Sequence, residues 1–166
     1  MLRVEQAPES LAYRLGALSA LARPFGLASK LEESEAHAAW AGVRDAAPLA
    51  DSKAPALWRV SIAPSRAAAF VNGLRAQGIA QDWFYDWGGG LVWLTSDLEA
   101  QESEAIFAAA AQAKGHAMLV RAHDEARSQM PVFQPQPDSM MILSARVKAS
   151  MDPDGILNPG RMYAGV

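Results

Sequence analysis

Three side chains in this sequence combine a chemically useful type with a position on a predicted strand. Arg59 lies within the alternating run Leu57 to Ile62 (LWRVSI), and Arg121 ends the run His116 to Arg121 (HAMLVR). A guanidinium is a planar fork that grips a carboxylate through two parallel hydrogen bonds. Both arginines are therefore candidate substrate-binding groups; the alternative is a solvated arginine on a sheet face. His116 is the only histidine on a predicted strand. Imidazole titrates near pH 6.5 in water, which suits proton abstraction at neutrality, so His116 is the candidate catalytic base. The alternative is a strand-end histidine satisfied by a backbone carbonyl. His123 and Asp124 offer a histidine–carboxylate pair, although neighbours at a strand exit are more often surface polar groups. His37 sits on an Ala-rich helix and is expected to face solvent. The positions 37, 116 and 123 match no metal-ligand spacing, and no metal site is expected.

Positioning these groups requires a sheet, and the central third of the chain predicts one. In Leu57 to Ile62, Trp58, Val60 and Ile62 share one face. Pro64 then suits a helix start, Ala67, Phe70, Val71 and Leu74 form its apolar stripe, and Gly78 caps its end. Two strands flank Gly88-Gly89-Gly90, a hairpin signal. The first places Trp83, Tyr85 and Trp87 on one face, and the second runs from Leu91 to Thr95. Ser96-x-x-Glu99 reads as a capping box before a helix striped by Leu98, Ile106, Ala109, Ala110 and Ala113 and ended near Gly115. His116 to Arg121 is the last strand, with His116, Met118 and Val120 on one face. The order is βαββαβ. The predicted fold class is therefore α+β: a ferredoxin-like antiparallel sheet over residues 57–121 with helices on one face.

Around that core the patterns are simpler. Residues 1–10 read as a linker, and Val4 to Pro8 look entered in mid-chain, so Met1 is expected to be an artificial start. Leu11, Leu15, Leu18 and Ala22 mark one N-terminal helix closed by Arg23-Pro24. Glu32 to about Ala46, with Ala36, Ala39, Trp40 and Val43 inward, marks another. Residues 47–56 form a loop, and Met130 to Pro137 (MPVFQPQP) a Pro-punctuated linker. A C-terminal helix begins near Asp138, with Met140, Leu143, Val147 and Met151 expected in the core. A Pro/Gly-rich tail, residues 152–166, follows it.

Composition narrows the classes. The 166 residues are 51% hydrophobic and 20% charged, which is globular. A net charge of −3 without a basic run lacks the footprint of a nucleic-acid binder. No apolar stretch approaches the ~18 residues of a spanning helix, so no direct membrane insertion is expected, and a cytoplasmic location is the default. With no cysteine, disulfides, thiol nucleophiles, zinc–thiolate sites and Cys-ligated iron–sulfur clusters are excluded from this chain.

The tail, Asp152-Pro153-Asp154-Gly155-Ile156-Leu157-Asn158-Pro159-Gly160-Arg161-Met162-Tyr163, resembles the C-terminal signature of FAD-linked oxidases of the vanillyl-alcohol-oxidase type. With Arg161 and the following Met-Tyr it is most similar to the FAD-binding subunits of glycolate oxidases (GlcE-type). Residues 58–64 (WRVSIAP), 86–94 (DWGGGLVWL) and 115–122 (GHAMLVRA) extend the likeness, which covers roughly residues 57 to 164.

The resemblance implies a two-domain flavoprotein that oxidises glycolate or a related short 2-hydroxy acid. An N-terminal domain binds FAD through a glycine-rich loop, and residues 11–151 form the substrate-side cap. Such chemistry needs a cation for the carboxylate (Arg59, Arg121), a base for the hydroxyl proton (His116) and a hydride acceptor. The tail is then expected to dock on the flavin domain, with Asn158 and Arg161 lining the cofactor; the alternative is a clasp on its own domain. Trp83, Tyr85, Trp87 and Trp93 form either core or one wall of the flavin pocket.

The chain departs from the family in one respect. It has no glycine-rich loop between a strand and a helix. FAD is therefore expected to be held mainly by a missing N-terminal domain, with no cofactor bound by this fragment alone. The implied partners are that flavin-domain half, a second flavin-type subunit and an iron–sulfur subunit, through which any membrane association would run. Two rivals remain. One is a stand-alone ferredoxin-like module that binds a ligand or dimerises. The other is a scaffold subunit that has lost its chemistry.

Overall fold

The computed structural model describes residues 1–5, 7–26, 29–97 and 99–166, and it divides into two compact units, Met1–Ala41 and Gly42–Val166. In the first unit, helix α1 runs Pro8–Ala22. Pro8 occupies its first turn, where a missing N–H leaves nothing unsatisfied. Leu11, Leu15, Leu18 and Ala22 make its half-buried inner face. Helix α2, Glu33–Arg44, begins with Glu33 and Glu35 and ends with Arg44, each charge placed to complement the helix dipole.

The second unit is built on four strands: β1 (Ala56–Ser61), β2 (Trp83–Asp86), β3 (Leu91–Ser96) and β4 (His116–Arg121). Their order is β2-β3-β1-β4, every neighbouring pair antiparallel. With α3 (Pro64–Ala76) after β1 and α4 (Ala100–Gln112) after β3, this is the ferredoxin-like βαββαβ sandwich. Period-two alternation decides which side of the sheet is covered. Trp58, Val60, Val92, Leu94, Ala117 and Leu119 are buried beneath Phe70, Val71, Leu74, Ile106 and Phe107 of the two helices. At the centre, Trp58 meets Phe107 edge-on, centroids 5.3 Å apart, and its indole N–H donates to Ser96 Oγ at 3.2 Å.

Both helices end in the same backbone motif. In α3, the Ile79 amide donates to Leu74 O and Gly78, at φ 78°, donates to Arg75 O. In α4, Gly115 donates to Ala110 O, and Lys114, at φ 53°, donates to Ala111 O.

Four features differ from the sequence patterns. Ser96 is the last, buried residue of β3, where it serves Trp58, so the capping box does not form; α4 starts four residues later with Glu99 as its N-cap and no side-chain cap bond. Leu98, placed in that helix's stripe, lies outside the described residues.

The linker is also partly ordered. Beyond a short helix α5 (Asp124–Gln129), residues 132–134 run along the free edge of β4: Leu119 N donates to Val132 O, and Gln134 N to Ala117 O. The buried Gln134 side chain accepts from Ala117 N and donates to Phe107 O, tying this edge to α4.

Helix α6 (Asp138–Met151) buries none of its residues. Met140, Leu143, Val147 and Met151 are 46%, 52%, 54% and 79% exposed, so the expected core stripe is an uncovered apolar surface. The aromatic cluster divides as well. Trp83 packs on the helix side beneath Arg75, Trp93 stacks with Phe84 on the other side, and Trp87 belongs to the turn after β2.

Candidate functional site

The sheet face away from α3 and α4 has two halves. At one end Leu57, Phe84, Trp93 and Val120 are covered by Ala46 and Leu49, from the turn before β1. The Trp93 indole nitrogen is buried there without a hydrogen-bond partner among the described residues. The other half carries Arg59, Ser61, His116 and Met118, with Leu91 buried opposite Ser61; here Ser61 and His116 are exposed, and Arg59 and Met118 half-buried.

Strand register sets the neighbours. Arg59 stands opposite Met118 on β4 and Trp93 on β3, and Ser61 stands opposite His116. Arg59 and His116 are therefore diagonal neighbours on one face, about 7–8 Å apart at Cα. The Arg59 guanidinium lies over the Trp87 ring, 5.1 Å from its centroid. Such a cation–π contact orients the fork while leaving its N–H groups for an anion. Trp87 holds this place with φ 51°, a region costly for a bulky residue, and its amide donates to Asp86 Oδ1 at 2.7 Å. Gly88 and Gly89 carry the rest of the turn at φ 61° and 96°.

Arg121 lies toward the covered end, opposite Leu57, beside an irregularity in the β1–β4 pairing. Its guanidinium donates to Leu49 O at 3.4 Å, holding the turn that covers Leu57. His123 directly precedes α5 without capping it, and His37 is exposed on α2. Among the described residues no His, Cys, Asp and Glu group has a metal-binding arrangement, and no helix is long and apolar enough to cross a membrane.

The tail is ordered by its own contacts. Asp152 is buried after α6 and accepts from Ile156 N at 3.1 Å, Leu157 N at 2.9 Å and Lys148 Nζ at 2.6 Å. These partners, Lys148 first, hold its carboxyl below the usual range. Lys148 also donates to Leu157 O. Further on, Tyr163 O–H donates to Gln134 O at 3.0 Å and its ring meets Phe133 at 6.1 Å. Asn158, at φ 46°, and Arg161 line a cleft of about 470 Å³ with Pro159, Arg127, Val132 and Phe133. Arg127 and Phe133 were not among the expected site residues. Nothing local marks them: one is a lone base on a short polar helix and the other a residue between prolines.

Fold and face together define the class: an α+β sandwich of ferredoxin-like topology, with one sheet face half open and carrying a cation and an imidazole. Against known proteins, the chain is similar to glycolate oxidase subunit GlcE of Escherichia coli (strain K12), 34% identical over 108 residues. The match takes in 65% of this chain and 26% of GlcE, so the chain spans about a quarter of that relative's length. No family model matches the chain, and no solved structure does.

Proposed function

We propose that this chain is the substrate-side cap and C-terminal tail of an FAD-linked 2-hydroxyacid oxidoreductase subunit of the glycolate oxidase kind. The observation that carries this reading is the match to GlcE. The half-open sheet face supports it with the groups such a reaction needs. Arg59, set by Trp87, grips the substrate carboxylate. His116, one diagonal away, takes the proton of the 2-hydroxyl. Arg121, expected to bind the carboxylate as well, is engaged with Leu49 O at the covered end, and in this reading it supports that wall rather than the substrate. A flavin, when bound, supplies the acceptor for the substrate's hydride.

The residues of this chain fit one side of such a cofactor only. Gly88, Gly89 and Gly90 join two strands, so no helix N-terminus follows them to receive a diphosphate. FAD is thus held mainly by a further N-terminal domain, onto which the exposed apolar side of α6 and the tail residues Asn158 and Arg161 dock. In this reading electrons pass to a second flavin-type subunit and an iron–sulfur subunit, and the complex is cytoplasmic or held at the membrane by its partners.

The test is direct. The 166-residue chain should purify colourless and stay inactive toward glycolate with added FAD; one equivalent of co-purifying flavin would overturn the placement of the flavin site. In the assembled enzyme, Arg59→Ala should raise KM for glycolate and His116→Ala should lower kcat. Unchanged turnover in both would leave these residues structural.

A further inference from the structure

We propose that the cleft between α5 and the tail is an oxyanion site for a phosphoryl group, held by Arg127 and Arg161. This goes beyond the oxidase reading, which gives Arg127 no part, and it stands whether or not the chain serves a flavoenzyme. Arg127 and Arg161 line one cleft of about 470 Å³, and among the described residues no Asp or Glu lines it with them. Neither arginine forms an ion pair among the described residues, although the chain as a whole carries three more negative than positive charges.

The cleft is also shaped by its own backbone. Arg127 is anchored by one bond, Nη1 to Val120 O at 3.3 Å, which leaves four of its five donors for a ligand. On the opposite wall, the left-handed turn at Asn158 is closed by Arg161 N to Asn158 O at 3.2 Å and by Gly160 N to Val166 O at 2.9 Å. These bonds fix where Arg161 leaves the backbone. Phe133, buttressed by Tyr163, supplies an apolar wall that weakens local screening. Two arginines on one cleft, without an acid among its described lining residues, suit a tetrahedral dianion, since a guanidinium fork can bond two of its oxygens.

The source of the phosphoryl group is either free anion or the diphosphate of a nucleotide, and the experiment separates them. Backbone amide NMR of the whole chain is followed while inorganic phosphate, inorganic pyrophosphate, ADP and riboflavin are added at low salt. Phosphate or pyrophosphate should give saturable shifts confined to residues near 127, 133 and 158–161, with Kd on the order of 1 mM. Riboflavin, which has no phosphate, should give none there.

Arg127→Ala and Arg161→Ala should each weaken binding about tenfold with the rest of the spectrum unchanged. Arg161→Lys should keep part of it, and Arg66→Ala, on α3, should change nothing. ADP binding more tightly than pyrophosphate points to a nucleotide source, and equal binding to a free anion. Non-saturating shifts spread over all surface arginines, or saturable binding that survives loss of either arginine, would overturn the assignment.

Discussion

Residue 115 sets the geometry on which the candidate site depends, because it is the joint between α4 and the strand that carries His116. A Cβ added to Gly115 would sit 2.7 Å from Ser61 O, and 3.3 Å from both Ala110 O and Ile62 Cβ. The nearest of these is backbone of the central strand β1, which cannot swing aside as a side-chain tip can. Relief needs a shift of β4 against β1, the pair that sets Ser61 opposite His116. Overpacking of this kind costs about 1–3 kcal/mol. At about 2–4 °C per kcal/mol for a chain of this size, Gly115→Ala should lower Tm by roughly 2–12 °C.

The preceding residue supplies the control. Lys114 takes the left-handed position of the α4 end, with φ 53°, where α3 uses Gly78. Left-handed backbone costs a residue with a Cβ about 1–2 kcal/mol, whereas glycine costs about 0.4–1 kcal/mol in unfolded-chain entropy. Lys114→Gly should therefore be neutral or raise Tm by up to a few degrees. Scanning calorimetry of both variants, with the Ser61–His116 register followed by cross-strand NOEs, reads the two effects together. If Gly115→Ala melts with the parent protein, the close approach to Ser61 is not a constraint. Equal damage from both variants would mean that the joint tolerates no change of any kind, and the close approach to Ser61 would not be the cause of the loss.

Two further outcomes are expected. Gln134→Ala strips Ala117 N and Phe107 O of their side-chain partner and should cost about 1–3 kcal/mol, measurable by urea denaturation; no loss would show that water replaces the amide there. Asp152 gives the tail an acid transition. Its folded carboxyl is held low by Lys148 and by the Leu157 and Ile156 amides, so its contribution is complete above about pH 4 and is lost as pH falls through the lower folded value. Hydrogen exchange at Ile156 and Leu157, corrected for intrinsic rates, should lose protection on acidification from pH 5 toward pH 2. Asp152→Asn should show weak protection across that range, and a transition that survives in the variant would assign it to another group.

The sandwich was legible because two periodicities point to one surface. The period-two residues Trp58, Val60, Val92 and Leu94 and the period-3.6 residues Phe70, Val71, Leu74 and Ile106 close on each other and on little else. Gly78, Gly88 and Gly89 mark turns for a local steric reason, so they too were readable. What misled was local pattern under tertiary demand. Ser96-x-x-Glu99 fits a capping box, yet a buried indole N–H needs an acceptor, and Ser96 is where β3 can supply one. Residues 132–134 lie among prolines that cannot donate, but their pairing with β4 uses Val132 O and Gln134 N, neither of which proline removes. The cleft of Arg127, Phe133 and Arg161 joins three separate segments, and spacing carries no trace of that. Periodicity also identified the apolar side of α6 correctly; what it cannot report is whether anything lies against that side.

Trp87 links the turn chemistry to the candidate site. Three residues in the loop from Trp87 to Gly89 adopt positive φ, and at two of them glycine removes the cost. At the third the chain carries its bulkiest side chain, 63% exposed, so burial recovers little of the expense of its φ of 51°. What offsets it is the Asp86 carboxylate on its amide and the guanidinium of Arg59 over its ring. Asp86 would serve any residue with an N–H at that position, glycine included. Among the described residues it is the Arg59 guanidinium that the aromatic ring meets, and a cation aligned over an exposed ring gains little in water. That contact gains strength when solvent is removed, which is the condition a covering flavin and substrate would create.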